Sequence, residues 1–250
     1  MTRFPSGIRL VAIGLVIAAL GCDRSASETE EVQPGAQGNL VPCFPEGGGL
    51  AFKVNGVPVP EKTVERFSAF YRDRGMNNPD QAKANAIEDG IMMTAAVYAD
   101  FRDAGRLEEW SSRVKAAEAR LKGGESFEAV AKTSSDCPSK AKGGDLGEPF
   151  RRDQNVAPLS EAAFRLAQGE VSPPVVSPYG AHFVKVSAVV DGSSPEKDQR
   201  KASHVLIAFD PERLLDAPSY TQKCQKLKRE AQVESVKEPY KKLIPASHRK

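Results

Sequence analysis

The side chains best suited to chemistry in this sequence are a cysteine, Cys137, and two histidines, His182 and His204. A thiol beside an imidazole can serve as a nucleophile with its base, and both residue types are zinc ligands. However, no hydrolase motif surrounds Cys137, and the separations between the three residues match no zinc-ligand pattern. We therefore predict neither a cysteine hydrolase nor a metal site.

Both histidines are predicted to lie on β-strands. His182 alternates with its neighbours so that it shares one strand face with Val184 and Val186. His204 lies in an almost continuous apolar run, residues 202–209, which is typical of a strand buried on both faces. Pairing of these two strands would bring the two imidazoles together.

An ordered series of short motifs surrounds Cys137 and His182. The series consists of Ser135-Asp136-Cys137, the glycine-rich loop 143–147 (GGDLG), Ala163-Phe164, residues 169–172 (GEVS) and residues 179–186 (YGAHFVKV). It resembles the parvulin-type, or PpiC-type, peptidyl-prolyl cis-trans isomerases across residues 119–190. The resemblance implies an α+β fold in which a parvulin-like antiparallel sheet is surrounded by helices, and it implies that Cys137, His182 and His204 are the catalytic residues.

The position of His204 departs from the family order. Parvulins begin with a strand reading Ala-x-His-Ile-Leu, but nothing similar precedes residue 107, and the motif appears instead at 202–206 (ASHVL). Either strand 202–208 completes the sheet in permuted order, or residues 202–250 are a decayed second parvulin repeat; a decayed repeat could also lend its strand. We expect strand insertion, because an unfilled central position would leave backbone groups unpaired.

The resemblance also implies a proline-binding pocket formed by Asn155, Leu159, Phe164 and Tyr179. The family pocket usually reads Gln-Met-Val-Pro-x-Phe. Here Asn155 replaces the methionine and Leu159 replaces the aromatic residue, whereas Phe164 is retained. The pocket is thus more polar and less aromatic than is usual in the family. This departure bears on the isomerase rate and does not change the predicted fold.

The chemistry that the resemblance implies needs no cofactor. Rotation about an X-Pro bond crosses a barrier of about 20 kcal/mol that arises from amide resonance. A catalyst has only to bind the twisted amide better than either planar form, by holding the proline ring in an apolar pocket and tuning the polarity around the carbonyl. We therefore predict no cofactor and no covalent intermediate.

The N-terminus has the pattern of an export signal. Arg3 and Arg9 precede an apolar run, Leu10–Leu20. This run is too short to span a bilayer as a helix but has the length typical of a signal peptide. Because Ala19-Leu20-Gly21-Cys22 resembles a bacterial lipobox, we predict a signal peptide over 1–21 and lipidation of Cys22. Ordinary secretory cleavage is the alternative. Residues 22–49, rich in Ser, Glu, Gln, Pro and Gly, are predicted to be a disordered tether.

Two further regions flank the isomerase-like segment. Residues 50–110 contain helical apolar stripes and resemble the N-terminal region of SurA- and PrsA-type foldases, which implies a helical chaperone region that binds unfolded chains. The isomerase domain itself is predicted to span 111–210. The C-terminal tail, 211–250, carries ten Lys and Arg against five acids. It is predicted to be a solvated amphipathic helix or, alternatively, to contact anionic lipid headgroups.

Composition narrows the class of protein. The 250 residues carry a formal charge of only +2, and 40% of them are apolar, which is ordinary for a globular protein and argues against a nucleic-acid binder. We predict an exported peptidyl-prolyl isomerase of the periplasm or cell envelope. Its partners would be unfolded or nascent exported polypeptides that contain X-Pro bonds, and the membrane through Cys22. The alternatives are a SurA-like chaperone with a weak or inactive parvulin domain, and a structural envelope lipoprotein.

Overall fold

The computed structural model describes residues 31–32, 40–234 and 236–250. The predicted signal peptide and the predicted lipidation site, Cys22, lie outside these residues. Within the described ranges, every helix is too short or too polar to cross a bilayer.

The chain folds into an N-terminal unit, a central unit and a tail. The N-terminal unit contains β1 (Glu31–Val32), β2 (Gly48–Val54), β3 (Val57–Pro60), α1 (Glu61–Asp73), α2 (Pro79–Asn85), a π-helical segment (Ala86–Met92) and α3 (Met93–Asp103). The central unit contains α4 (Leu107–Lys122), α5 (Phe127–Ser134), a 3₁₀ turn (Pro138–Lys142), α6 (Ala157–Arg165), β4 (Val175–Ser177), β5 (Gly180–Val190), a 3₁₀ turn (Pro195–Lys197) and β6 (Gln199–Ala208). The tail adds α7 (Ala217–Glu230), β7 (Val233–Glu234) and 3₁₀ turns at Arg213–Leu215, Tyr240–Lys242 and Ala246–His248.

The N-terminal unit is not purely helical, because a small antiparallel sheet forms part of its core. β2 pairs with β1 and β3, and it also pairs with β7 from the tail. The side chain of Tyr240, after β7, packs edge-on against Phe52 of β2 with ring centroids 6.2 Å apart. The tail is therefore part of the N-terminal unit rather than a separate solvated helix.

The predicted tether is wrong at its C-terminal end. Val41, Cys43 and Phe44 are all buried in the main hydrophobic core, and the Val41 carbonyl accepts a hydrogen bond of 2.8 Å from the Tyr98 hydroxyl of α3. These apolar side chains, close together in an otherwise polar segment, give residues 40–49 enough buried surface to join the folded core.

β6 is an outer strand of the second sheet, whose order is β4-β5-β6, so the expected central position of strand 202–208 is wrong. On one side it pairs antiparallel with β5, from Gly180↔Ala208 to Val190↔Gln199, and β5 pairs in turn with β4. On its other side it bonds to the glycine-rich loop: the His204 N–H donates to the Gly144 carbonyl over 2.9 Å, and the Leu146 N–H donates to the Ala202 carbonyl over 3.1 Å. Both edges of β6 are thus hydrogen-bonded.

The two faces of this sheet belong to different cores. One face presents Ala181, Phe183, Val205 and Ile207 to the main core, which also contains side chains of α4 and α5. The other face presents Val184, Val186 and Ala202 to a smaller core that includes Leu159 of α6. Because side chains alternate along a strand, His182 and His204 lie on this second face.

We expect replacement of Gly144 by alanine to unfold much of the central unit. Gly144 has φ of +86°, and a Cβ atom there would lie 2.3 Å from the carbonyl oxygen of His204. Gly147 is the matched control, since its φ is +92° but a Cβ atom there meets nothing within 4 Å. Gly147→Ala should cost about 1 kcal/mol from the positive φ alone, and Gly144→Ala about 3 kcal/mol or more. Urea unfolding measures both values, and equal losses would contradict this account.

Candidate active site

The two histidines of the sheet are in direct contact. The Nδ1 atoms of His182 and His204 are 3.2 Å apart, and the rings stack at 22° with centroids 5.4 Å apart. The Nε2 atom of His182 is 2.7 Å from the Oγ atom of Ser177, at the end of β4. Ser177, His182 and His204 thus form a hydrogen-bonded ladder across the three strands.

Both histidines are neutral at physiological pH. Burial lowers the pKa of His182 well below its ordinary value, and the neighbouring His204 lowers it further. Burial also lowers the pKa of His204, to about 4. Two neutral imidazoles can share an Nδ1–Nδ1 hydrogen bond only when one of them is protonated on Nδ1 and the other is not. The ladder is therefore an uncharged network.

One ring nitrogen of the ladder makes no hydrogen bond within the described residues. The Nε2 atom of His204 is buried and has no hydrogen-bond partner among the described residues. A lone pair left bare costs less than a buried N–H that cannot donate, since an unsatisfied donor forfeits its whole hydration. This favours the tautomer in which His204 donates from Nδ1 to His182, and His182 donates from Nε2 to Ser177.

The loop that carries Cys137 is fixed to the same strand as His204. The hydroxyl of Ser135 accepts the N–H groups of Leu206 and Cys137 over 3.1 and 3.3 Å. The Asp136 carboxylate accepts the Ala208 N–H over 2.8 Å and the Arg113 guanidinium over 2.8 Å. Cys137 itself is a half-buried free thiol at the start of the 3₁₀ turn, and no hydrogen bond reaches its sulfur from the described residues.

The four residues of the predicted pocket do not share one environment. Leu159 is only 3% exposed and packs in the smaller core with Val184, two residues beyond His182. Phe164 is half-buried at the other end of α6. Tyr179 packs instead against Tyr220 of α7, with ring centroids 5.5 Å apart, and Asn155 is half-buried just before α6. Their joint role in proline binding stays a prediction.

Phe164 is covered by two cations. The guanidinium groups of Arg152 and Arg200 lie 4.2 and 4.9 Å from its ring centroid. α6 spans Ala157–Arg165, because Pro158 fits its first turn and Leu166 is already extended. Both guanidinium groups therefore contact the Phe164 ring near the C-terminal end of α6.

Sequence reasoning missed Ser177 and Arg113, and it placed Ser135 and Asp136 in a motif without assigning them a role in holding the cysteine loop. Ser177 had a readable signal, because a serine before a tight hairpin turn commonly caps it, and its Oγ does accept the Tyr179 N–H over 3.1 Å. Arg113 had none, since its pairing with Asp136 depends on how α4 crosses the sheet. Within residues 31–32, 40–234 and 236–250, no group of three or more His, Cys, Asp or Glu side chains is placed to hold a metal ion.

The ladder predicts a loss of stability in mild acid. Because the pKa of His204 is lowered from 6.5 to about 4 on folding, the unfolded chain binds more protons between these values, so the free energy of unfolding falls as pH falls through this window. We expect His204 alone to contribute about 3 kcal/mol of this loss. Urea unfolding of the wild type and of His204→Gln between pH 7 and pH 4 measures it, and parallel pH profiles for the two proteins would contradict the prediction.

The comparisons with known proteins agree with the sheet and its motifs. Residues 92–188 match the rotamase family described as the PPIC-type PPIASE domain. Foldase protein PrsA of Bacillus subtilis is 37% identical over 117 residues, which cover 47% of this chain and 38% of PrsA. Foldase protein PrsA 4 of Bacillus cereus is 26% identical over 201 residues, which cover 73% of this chain and 70% of that protein.

Chaperone SurA of Hahella chejuensis is 35% identical over 100 residues, which cover 40% of this chain and 23% of SurA. The chain thus spans less than half the length of Bacillus subtilis PrsA and of this SurA. Together with the motifs around Cys137 and the sheet that carries His182 and His204, these matches show that the chain contains a PpiC-type peptidyl-prolyl isomerase domain and is homologous to the PrsA and SurA foldases.

Proposed function

We propose that this protein is an exported peptidyl-prolyl cis-trans isomerase that assists the folding of secreted or envelope proteins. The observation that carries the proposal is the neutral ladder of Ser177, His182 and His204, because His204 lies on the same strand as Leu206, which anchors the Cys137 loop. The matched family and the foldase relatives support the same activity.

The ladder suits a reaction in which no bond breaks. Rotation of the X-Pro amide passes through a twisted state with less charge separation than the planar amide. A network of neutral side chains, kept uncharged by burial, does not stabilise the charge-separated planar form and so favours the twisted state by comparison. In this proposal Cys137 lies near the substrate carbonyl, and the histidines set the polarity around it.

The proposed location is the periplasm or the outer face of the cell envelope. The apolar run Leu10–Leu20 and the lipobox-like sequence ending at Cys22 support export and lipid attachment. The proposed partners are unfolded or nascent exported polypeptides with X-Pro bonds. Metabolic labelling with a radioactive fatty acid, lost on Cys22→Ser, tests the anchor separately from the catalytic activity.

The chaperone alternative is favoured by one feature of the pocket. Leu159, which replaces the family's aromatic residue, is only 3% exposed and offers little surface to a proline ring. A protein of this kind would bind unfolded chains with little catalysis. It would suppress aggregation of a proline-free client while showing no isomerase rate above background.

We expect the isomerase rate to depend on the cysteine loop and the ladder. In a protease-coupled assay on an Ala-Pro peptide, Cys137→Ala and His182→Gln should each lower kcat/KM by about tenfold or more, because each removes part of a preorganised polar network. His248→Ala is the control, since His248 bonds the Ala231 carbonyl in the tail and should keep the wild-type rate. A wild-type rate equal to background would rule out the isomerase, and equal rates above background in all variants would rule out the cysteine loop and the ladder as its site.

The polar pocket predicts a variant that gains activity. Asn155→Met restores the apolar side chain that the family uses, so kcat/KM should rise by about fourfold, the value of roughly one buried methylene group. Gln154→Met is the control, because Gln154 is exposed and bonds the Arg151 N–H. A gain in both variants would indicate a general apolar effect, and a gain in neither would place Asn155 outside the pocket.

A further inference from the structure

A groove lies on the sheet face opposite to the histidine ladder. It has a volume of about 590 Å³ and is bounded by the end of α4, the start of α5, β5 and the segment 169–173. Phe127 and Phe183 lie beneath it and are only 3% and 1% exposed, so its accessible apolar surface comes from the half-buried Leu121 and the exposed Val171 and Pro173. Phe183 follows His182 on β5, so the groove and the ladder are on opposite faces.

The rim of the groove carries an exposed apolar residue. Val171 is 41% exposed, and the only other large apolar residue exposed to this degree within the described ranges is Val190. Val171 is bridged to Lys185 of β5, so its side chain lies on the same face as Lys185 and Phe183. Together with Leu121 and Pro173, Val171 forms an apolar surface whose exposure to water is unfavourable in free energy.

The backbone N–H and C=O groups of Val171, at the edge of the groove, are available for hydrogen bonding. The Ser172 N–H donates to the Val184 carbonyl, and the Val186 N–H donates to the Glu170 carbonyl. These two bonds flank Val171 and Lys185, which therefore form a non-hydrogen-bonded antiparallel pair, so the N–H and C=O of Val171 point away from β5. Neither group has a backbone partner among the described residues. An extended chain could pair with both.

The charges around the groove indicate an uncharged occupant. Lys122 pairs with Glu118 over 2.7 Å, Lys185 pairs with Glu128 over 3.3 Å, and Glu125 is held by Arg120. Each charged side chain of the rim thus has an opposite charge within the protein. A nucleic acid or an anionic headgroup would have to displace these pairs, whereas an apolar peptide would not.

We propose that this groove binds an extended, apolar, uncharged segment of an unfolded polypeptide. The segment pairs with the Val171 backbone as an added edge residue and places one side chain against Leu121, Val171 and Pro173. This inference rests on the proposed function, because the bound segment belongs to the client whose X-Pro bond is isomerised on the opposite face. Binding at the groove raises the local concentration of the client near the ladder without touching the catalytic groups.

The test uses two aspartate variants. Val171→Asp places a charge in the groove, and Val190→Asp is the matched control, because Val190 is 45% exposed on the same sheet but does not line the groove. The probe is a fluorescent, proline-free, uncharged ten-residue peptide rich in Leu and Val. We expect Val171→Asp to weaken its binding at least tenfold and Val190→Asp to leave the binding unchanged. Circular dichroism and urea unfolding check that both variants are folded.

A second measurement separates the groove from the catalytic site. Val171→Asp should keep the wild-type kcat/KM on a proline tetrapeptide, but it should raise KM for catalysed refolding of a proline-limited unfolded protein. Equal binding by both variants, or competition between the proline-free peptide and the tetrapeptide, would overturn the inference. A change of oligomeric mass in Val171→Asp by sedimentation would also overturn it, in favour of a second copy of this chain as the occupant. Absence of tetrapeptide isomerisation in the wild type would instead remove the proposed function and leave the peptide-binding result to stand.

Discussion

The structure depends above all on the hydrogen bonding of β6 along both of its edges. β6 contributes His204 to the ladder and holds the Cys137 loop through Leu206 and Ala208. It also fixes the glycine-rich loop through the Gly144 carbonyl. Without these partners the strand would leave several buried N–H and C=O groups unpaired, each at a cost of about 1–3 kcal/mol. His204, the Cys137 loop and the glycine-rich loop are thus all positioned by β6.

Beyond its last residue, β6 is tied into the N-terminal unit. Phe209 packs between Phe101 of α3 and Trp110 of α4, with ring centroids 4.8 Å from each. The Trp110 indole N–H donates to the Ile207 carbonyl over 2.9 Å. The chain then continues through α7 into β7, which pairs with β2. The strand that carries His204 is therefore followed by the tail, which completes the sheet of the N-terminal, foldase-like unit. The N-terminal unit and the central unit are thus joined through this part of the chain.

Much of this arrangement could be predicted from the sequence, because it depends on local residue patterns. The stripe of α4 follows helical spacing, the Asn78 side chain caps α2 by accepting the N–H groups of Asp80 and Gln81, and strand 202–208 shows the apolar run of a buried strand. The contacts that depend on how elements cross were not predictable. Arg113 reaches Asp136 because α4 lies over the end of β6, and Val41 joins the core because α3 presents Tyr98 and α4 presents Ser111 to its backbone.

The packing of α6 decides how open the candidate pocket is. Residues 158–163 are all buried, because α6 is covered by the sheet on one side and by the N-terminal unit on the other. Glu161 is only 3% exposed and is bound by Arg66 of α1 and by Arg165. Burial raises the pKa of Glu161, and the two guanidinium groups oppose that shift. A buried carboxylate held in this way is costly to leave unpaired, so α6 and Leu159 stay in place as long as the N-terminal unit supplies Arg66. The shape of the pocket is thus a property of both units together, because the helix that carries Leu159 is held by a side chain from outside the isomerase domain.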